Sequence, residues 1–288
     1  MQLSRVILML GIVNVTGAPV AWGWGADGHQ LVGAVADALI AGSPAASKVN
    51  SILGTETLQQ ASLWADCVKG TNEKKAPFKF TVGTKKFPEC KPFENATGVA
   101  AMVDYVKRNH DRCAPGPDQE TCHKQYHYSD VAIQRSTYGS HDQGTSDHDI
   151  VASIRAAVAV LKGQPAPAPF NIKNKKEALR LLAHFVGDIH QPLHVGAVYL
   201  DHQGNVVDPD QPGFDPDSST HGGNLIQQYC ENLHHSWDDL PKTLRITAFK
   251  PQAITLAQLV PLQPEAPRTG RWRGRANPWS RVKARTAD

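Results

Sequence analysis

Apolar residues recur at helical spacing along most of this chain, and few segments alternate in the way a half-buried strand does. After Gly28, one helical face carries Val32, Val35, Ala36 and Leu39. Asp27 stands where a side chain could cap the start of that helix. A second helix is predicted from Leu58 to about Lys69. The pattern therefore favours helices over sheets from the beginning of the chain.

The middle of the chain predicts three more helices, separated by long polar segments. They span about 99–108, 146–161 and 173–190, the last of them ended by Pro192. A short helix is predicted near Asn232, whereas 70–126 and 200–223 are rich in loop-forming residues. We therefore predict an all-α class, with a single helical domain and long loops.

The first residues predict an export signal. A basic residue precedes an apolar run over 6–13, which is far shorter than the ~20 residues of a membrane span. Small residues at Ala21 and Gly23 form an acceptable cleavage site, and cleavage after Ala21 is the alternative. We predict a signal peptide over 1–23, a mature chain that begins at Trp24, and a secreted or periplasmic location.

Cysteine usage agrees with export. Four of the five cysteines fall in one stretch, where an oxidising compartment would favour two disulfides. Cys67–Cys90 and Cys113–Cys122 are the simplest pairing, although the sequence leaves the connectivity open. Cys230 remains and is predicted to be a buried free thiol.

Composition narrows the function classes only a little. The chain has 288 residues, 41% of them hydrophobic and 20% charged, with a net charge of +3. A protein that binds nucleic acid by charge alone would be more basic, so any such specificity must reside in a site. Residues 251–288 are rich in Pro and Arg and are predicted to be a disordered tail, which leaves 24–250 as the domain.

Histidines and aspartates occur at spacings that suit metal ligands. His184 and Asp188 are four residues apart in a predicted helix, and His234 and Asp238 repeat this spacing. One such pair is common on ordinary polar faces, but two pairs with His194 between them are not. Imidazole and carboxylate together suit zinc, and a carboxylate can bridge two ions. The sequence therefore predicts a zinc site beside the core.

Motifs in a fixed order extend this signal over about 24–240. They are W-G-A-D-G-H at 24–29, L-W-A-D at 63–66, Q-Y-H-Y-S-D at 125–130, H-F-V-G-D-I-H-Q-P-L-H at 184–194, G-G-N at 222–224 and N-L-H-H-S-W-D at 232–238. In this order they resemble the S1/P1 nucleases, the single-strand-specific zinc nucleases, whose helical fold is shared with zinc-dependent phospholipase C.

The resemblance implies three Zn²⁺ ions and a set of ligands for each ion. Trp24, through its free amine and carbonyl, and His29 would hold one ion, which Asp188 would bridge to a second. The implied ligands of the second ion are Asp66, His127, His184 and Asp188, and those of the third are His194, His234 and Asp238. His190 and His235 have no ligand role in this assignment and are predicted to be structural or exposed.

The resemblance also implies residues for catalysis and substrate binding. Asp66 would orient the nucleophile, and Lys69 would offset charge at a position where the family often has Arg. Tyr128 would stack a base, while Asp130 and Asn224 would hydrogen-bond to its edge.

The implied activity is that of an exported endonuclease. It would cut single-stranded DNA and RNA, with 3′-nucleotides as a further substrate, to 5′-phosphorylated products, and would need no membrane or obligate protein partner. A zinc-dependent phosphodiesterase of the phospholipase C type is one alternative. An inactive zinc-binding relative is the other, because the part after Asp238 is shorter than in the family and resembles a truncated or aberrant C-terminus.

Overall fold

The computed structural model describes residues 24–239, apart from 75, 82–86, 118, 229 and 230. The predicted signal peptide over 1–23, Cys230 and the predicted tail over 251–288 lie outside the described residues, so these predictions are not tested. Within the described ranges, no helix has both the length and the apolar character that crossing a membrane requires.

Helices dominate the described chain, which confirms the predicted all-α class. They are α1 (Ala26–Ile40), α2 (Pro44–Leu53), α3 (Leu58–Ala61), α4 (Trp64–Cys67), α5 (Ala96–Asn109), α6 (Cys122–Gln125), α7 (Ile150–Leu161), α8 (Lys175–Asp188), α9 (Pro192–Val195) and α10 (Leu233–Asp238). Two short antiparallel ladders pair β1 (Thr71–Asn72) with β2 (Lys79–Phe80) and β3 (Gln227–Gln228) with β4 (Glu231–Asn232). The predicted loop over 200–223 contains a 3₁₀ turn, Pro216–Ser218, and isolated β-bridges such as Leu200–Val206.

Several predicted boundaries are wrong. Gly25, not Asp27, is the N-cap of α1, and Asp27 lies in the first turn. The helix predicted from Leu58 to Lys69 is two single turns, α3 and α4, followed by a 3₁₀ turn. Helix α2 was not predicted at all. Helix α8 already ends at Asp188, and Pro192 is the first residue of α9.

Side-chain caps set the start of two helices that carry candidate ligands. Asn174 accepts a hydrogen bond from the Glu177 amide at the start of α8, and Asn232 accepts one from the His235 amide at the start of α10. A cap of this kind is worth about 1 kcal/mol. These caps fix where His184 and His234 fall on their helices.

The core lies where α4, α5, α7 and α8 pack together. Trp64, Tyr105, Ile150 and Phe185 are among its almost fully buried side chains. Helix α1 packs on α3 and α8, and a Cβ on Gly33 would lie 2.4 Å from the Leu58 carbonyl oxygen. This close approach lets α1 and the start of the 58–70 segment pack together against α8.

Both predicted disulfides are confirmed. Cys67–Cys90 ties α4 to a 3₁₀ turn, Pro88–Phe93, and Cys113–Cys122 closes the loop between α5 and α6. The first bond holds the residue that follows Asp66, and the second holds the loop that leads to His127. Each disulfide therefore anchors a segment with a candidate ligand.

Candidate metal centre and substrate cleft

The predicted His and Asp ligands converge although they come from six parts of the chain. Helix α1 supplies His29, α4 supplies Asp66, the turn after α6 supplies His127, and α8, α9 and α10 supply the rest. All eight side chains are buried: His29, Asp66, His127, His184, Asp188, His194, His234 and Asp238. Trp24 is the ninth predicted ligand, and its position is described below.

Four of these residues form a compact group. His127 Nδ1 lies 3.0 Å from His184 Nε2, and Asp188 Oδ2 lies 3.0 Å from each of these nitrogens. Asp66 Oδ1 is 3.8 Å from His127 Nδ1 and 3.6 Å from His184 Nε2. Ligand atoms around a tetrahedral zinc ion are about 3.3 Å apart, given bonds of about 2.0–2.1 Å. The 3.0 Å spacing of His127, His184 and Asp188 therefore fits three ligands of one tetrahedral ion, and Asp66 groups with His184 and His29.

Asp188 connects this group to His29. Its second oxygen, Oδ1, lies 3.2 Å from His29 Nε2, and Asp66 Oδ2 lies 3.9 Å from the same nitrogen. Among the described residues, neither ring nitrogen of His29 nor Asp188 Oδ1 has a hydrogen-bond partner. Leaving a buried polar atom unpaired costs about 1–3 kcal/mol. A cation between His29 and Asp188 would satisfy these atoms, so the donor set fits a metal ion.

A further group lies on the other side of Asp188. His194 Nε2 is 3.1 Å from His234 Nε2, which in turn is 3.7 Å from Asp238 Oδ2. Gln191 donates from Nε2 to Asp238 Oδ1 at 2.8 Å, so the other carboxylate oxygen faces the histidines. These three ligand atoms leave room for a fourth ligand from solvent or substrate.

Backbone carbonyl groups set the tautomers of three histidines. The Nδ1–H groups of His184, His194 and His234 donate to the carbonyls of Ser62, His127 and Gly222, at 2.6, 2.9 and 2.8 Å. Each Nε2 therefore presents a lone pair to its group. Such hydrogen bonds orient metal-binding imidazoles and raise their basicity.

A cleft of about 340 Å³ opens beside these groups. The predicted substrate and catalytic residues Tyr128, Asp130, Asn224 and Lys69 all lie in its wall. His127, His194 and His234 border it, and its other lining residues are Gln119, Glu120, Lys124, Gln125, Leu193 and His221. A molecule in the cleft would thus contact both the His/Asp groups and the predicted base-binding residues.

Comparison with known proteins agrees with this geometry. A model of the S1/P1 nuclease family matches residues 24–281. The chain belongs to the S1/P1 nuclease family. Endonuclease 1 of Arabidopsis thaliana is 30% identical over 164 residues, which is 52% of this chain and 46% of the relative. Nuclease S1 of Aspergillus oryzae (strain ATCC 42149 / RIB 40) is 26% identical over 237 residues, 81% of this chain and 59% of the relative.

The matched relatives are longer than the aligned region. Endonuclease 2 of Arabidopsis thaliana, 23% identical over 248 residues, is covered over 62% of its length. The chain therefore spans about half to three fifths of the length of these members of the S1/P1 nuclease family.

Burial tunes the ionisation of the ligand side chains. It lowers the pKa of His127 to about 3 and that of His194 to about 4, so both are neutral and able to bind metal at pH 7. Burial alone would raise the pKa of Asp66. The positive charge of Lys69 and the nearby histidines outweigh this effect and bring the pKa down to about 2. Burial also raises the pKa of Asp238 to about 8, so this carboxyl needs a neighbouring cation to ionise at neutral pH.

Trp24 lies at the edge of the centre. Its side chain packs against Gly28, and the amide of the next residue, Gly25, donates to the Asp238 carbonyl at 3.0 Å. The chain therefore runs beside α10 where the mature N-terminus is predicted. Metal binding by the Trp24 amine and carbonyl stays a prediction.

The base-binding candidates face different surroundings. Burial raises the pKa of Asp130 to about 6, against the opposing effect of His221 and the Gly222 amide. Burial raises the pKa of Tyr128, whose hydroxyl hydrogen-bonds to Glu120. Asn224 donates from Nδ2 to the His221 carbonyl at 2.8 Å. These three side chains can offer a ring face, a carboxyl group and an amide to a base.

Some residues in the site were not predicted. Gln191 positions Asp238, and its place inside the H-Q-P-L-H motif, three residues before the candidate ligand His194, was the available signal. Glu120 and His221 come from loops and Lys124 from the single turn α6, and none of these segments has a periodic pattern. His190 and His235 are exposed, as predicted for residues without a ligand role.

Proposed function

We propose that this chain is an exported, zinc-dependent endonuclease that hydrolyses single-stranded DNA and RNA, and also 3′-nucleotides, to 5′-phosphorylated products. The observation that carries the proposal is the set of eight buried His and Asp side chains, with unpaired atoms at His29 and Asp188. Nitrogen and carboxylate donors of this kind suit zinc. Membership of the S1/P1 nuclease family and relatives named endonuclease and nuclease support the same activity.

We assign three zinc ions to the groups described above. Trp24 and His29 would hold one with Asp188, whose second oxygen faces the group of Asp66, His127 and His184. His194, His234 and Asp238 would hold the third. Bound zinc lowers the pKa of water to near neutrality and polarises a phosphoryl oxygen.

Asp66 and Lys69 act together in this proposal. The Lys69 ammonium lies 2.8 Å from Asp66 Oδ1, and its side chain is only 3% exposed. Asp66 orients the attacking water, and Lys69 places a positive charge where charge develops on the phosphoryl group. A lysine acts there as a point charge, because it cannot form the two parallel hydrogen bonds of an arginine.

The lining of the cleft supports selectivity for single strands. Tyr128 offers an aromatic face, and Asp130 and Asn224 offer polar groups to a base edge. A base reaches such groups only when it is unpaired and unstacked. A paired duplex could not make these contacts and would therefore not be cut.

The direct test is degradation by the purified, exported chain. We expect release of 5′-mononucleotides from single-stranded DNA and RNA, loss of this release with a zinc chelator, and recovery on adding zinc. Zinc content, by elemental analysis, should be near three ions per chain, and mass spectrometry should find Trp24 at the N-terminus. Duplex DNA of the same sequence is the matched control.

Three other outcomes would contradict the proposal. Hydrolysis of phosphatidylcholine without cleavage of single strands would support a phospholipase C-type enzyme instead. Bound zinc without turnover of either substrate would indicate an inactive zinc-binding relative. A protein that is folded, metal-free and inactive would show that these residues do not build the centre.

A further inference from the structure

A second lysine lies in the cleft wall near Lys69. Lys124 belongs to α6, and its carbonyl accepts the His127 amide at 3.4 Å, so it sits one helical turn before a candidate ligand. Its side chain is 21% exposed and lines the cleft with Lys69, Gln119 and Gln125. Lys69 and Lys124 place two ammonium groups in this wall, together with the carboxylate of Glu120.

Lys124 is held in place by a buried carboxylate. Glu73, whose side chain is 8% exposed, accepts from Lys124 Nζ at 2.7 Å and from Thr121 Oγ1 at 2.9 Å. The other oxygen of Glu73 lies 3.4 Å from Nε2 of the fully buried His123. The long lysine side chain is therefore already ordered, so a ligand that contacts it does not bear that entropic cost.

The charges around Lys124 indicate what it can bind. Glu73 pairs with Lys124 and is not among the residues that line the cleft, whereas Glu120 lines it and is hydrogen-bonded to the Tyr128 hydroxyl. Lys69, which pairs with Asp66, and Lys124, which pairs with Glu73, are two cationic side chains in the wall of one cleft. A phosphate group is the anion that a nucleic-acid substrate would bring there.

We propose that Lys124 binds the phosphate next to the one held at the metal centre, so that the cleft wall at Lys124 is a subsite for nucleic-acid chains. The inference rests on the proposed nuclease function and deepens it. A mononucleotide has no second phosphate to place there. The subsite would therefore favour oligonucleotides over 3′-mononucleotides.

The proposal predicts a loss that depends on substrate length. For Lys124→Gln, we expect kcat/KM on a single-stranded oligonucleotide to fall about tenfold, mainly through KM, with a loss on a 3′-mononucleotide at least fivefold smaller. The dependence of log KM on log salt should weaken by about 0.7, the value for one phosphate contact on a single strand. Lys124→Arg keeps the charge and should restore most of the preference.

Lys48→Gln is the matched control, because Lys48 is exposed on α2 and does not line the cleft. It should behave as the unmodified chain on both substrates. An equal loss on both substrates for Lys124→Gln would overturn the subsite and indicate a structural role for the Glu73–Lys124 pair. No loss on either substrate would overturn it as well.

A binding measurement separates this proposal from the nuclease proposal. Fluorescence anisotropy of a labelled oligonucleotide should show about tenfold weaker binding by Lys124→Gln, even if no substrate is cleaved. Failure of the unmodified chain to cleave would contradict the nuclease function alone. Equal affinities of the two proteins, or no binding by either, would overturn the phosphate subsite.

Discussion

His184 and His190 share one short segment but differ completely in environment. His184 is fully buried in the four-residue group, whereas His190 is exposed and donates from Nδ1 to the Val186 carbonyl. We expect His184→Ala to lower activity more than about 100-fold, since even residues that only support metal ligands cost 10–100-fold. His190→Ala should keep full activity and zinc content. Similar zinc content in both variants would contradict the assignment of His184 as a ligand.

The ionisation of Asp130 should make the stability of the folded chain depend on pH. Burial raises its pKa to about 6 in the folded chain, above its usual 3.8, so the folded state binds this proton more tightly than the unfolded state. The favourable contribution is complete below about pH 4 and is lost as the pH rises through 6.

Asp130→Asn should therefore be more stable than the unmodified chain at pH 8, by about 1–2 kcal/mol after allowance for partial exposure. At pH 4 this advantage should disappear, because the aspartic acid is then neutral too. Thermal unfolding of both proteins at the two pH values tests this. A difference in melting temperature that does not change with pH would show that Asp130 titrates normally.

Sequence could predict which residues form the centre, but not how each one is oriented. The ordered motifs identified the eight His and Asp residues as candidate ligands, and in the structure these residues lie close together. The tautomer of His184 depends on the Ser62 carbonyl, 122 residues away, and that of His234 on Gly222. Such acceptors are backbone atoms, which any residue type supplies, so no residue pattern marks them.

At the level of elements, Gly187 shows how α8 accommodates α1. Glycine inside a helix costs about 0.5–1 kcal/mol relative to alanine, yet α8 has one between its two ligands. A Cβ at this position would lie 2.8 Å from His29 Nδ1. The glycine therefore leaves room for the His29 ring, which stacks on His184 with centroids 3.7 Å apart.

Gly187→Ala should displace His29 and weaken the metal ion that this residue would hold. We expect lower zinc stoichiometry and a clear loss of activity, although alanine is the better helix former. Val186→Ala, one residue earlier and exposed, is the matched control and should retain zinc. Full zinc content in Gly187→Ala would mean that His29 can shift without losing its ligand role.

Helices with a strong apolar face were predictable from the sequence. The interruption of the 58–69 segment and the exposed helix α2 were not. Helices α7 and α8 follow their apolar periodicity closely. The 58–69 segment is interrupted at Ser62, whose hydroxyl donates to the His29 and Gln59 carbonyls, a tertiary contact that local pattern does not reveal. Helix α2 was missed because most of its residues are exposed and only Leu53 is buried. Apolar periodicity therefore predicts helices that bury one face in the core. It misses helices that are mostly exposed or whose ends depend on single tertiary contacts.

At the scale of the whole molecule, the centre joins the elements that build the domain. Its candidate ligands come from α1, α4, α8, α9, α10 and the turn after α6, so an ion bound there would connect segments that are far apart in sequence. Without a cation, buried carboxylates and neutral imidazoles must share one region of low polarity, which is unfavourable. Metal binding should therefore contribute to the stability of the fold as well as to catalysis.

Chelation should lower the melting temperature strongly. A ligand at 1,000 times its Kd stabilises the folded state by about 4 kcal/mol, which for a chain of this size corresponds to roughly 10 °C. Zinc should restore the melting temperature, whereas magnesium should not, because it prefers oxygen ligands. Scanning calorimetry without reductant keeps both disulfides intact, so the change reports on the metal alone. An identical melting temperature with and without chelator would mean that these helices hold together without the ions, and that the eight buried ligands contribute nothing to the fold through metal binding.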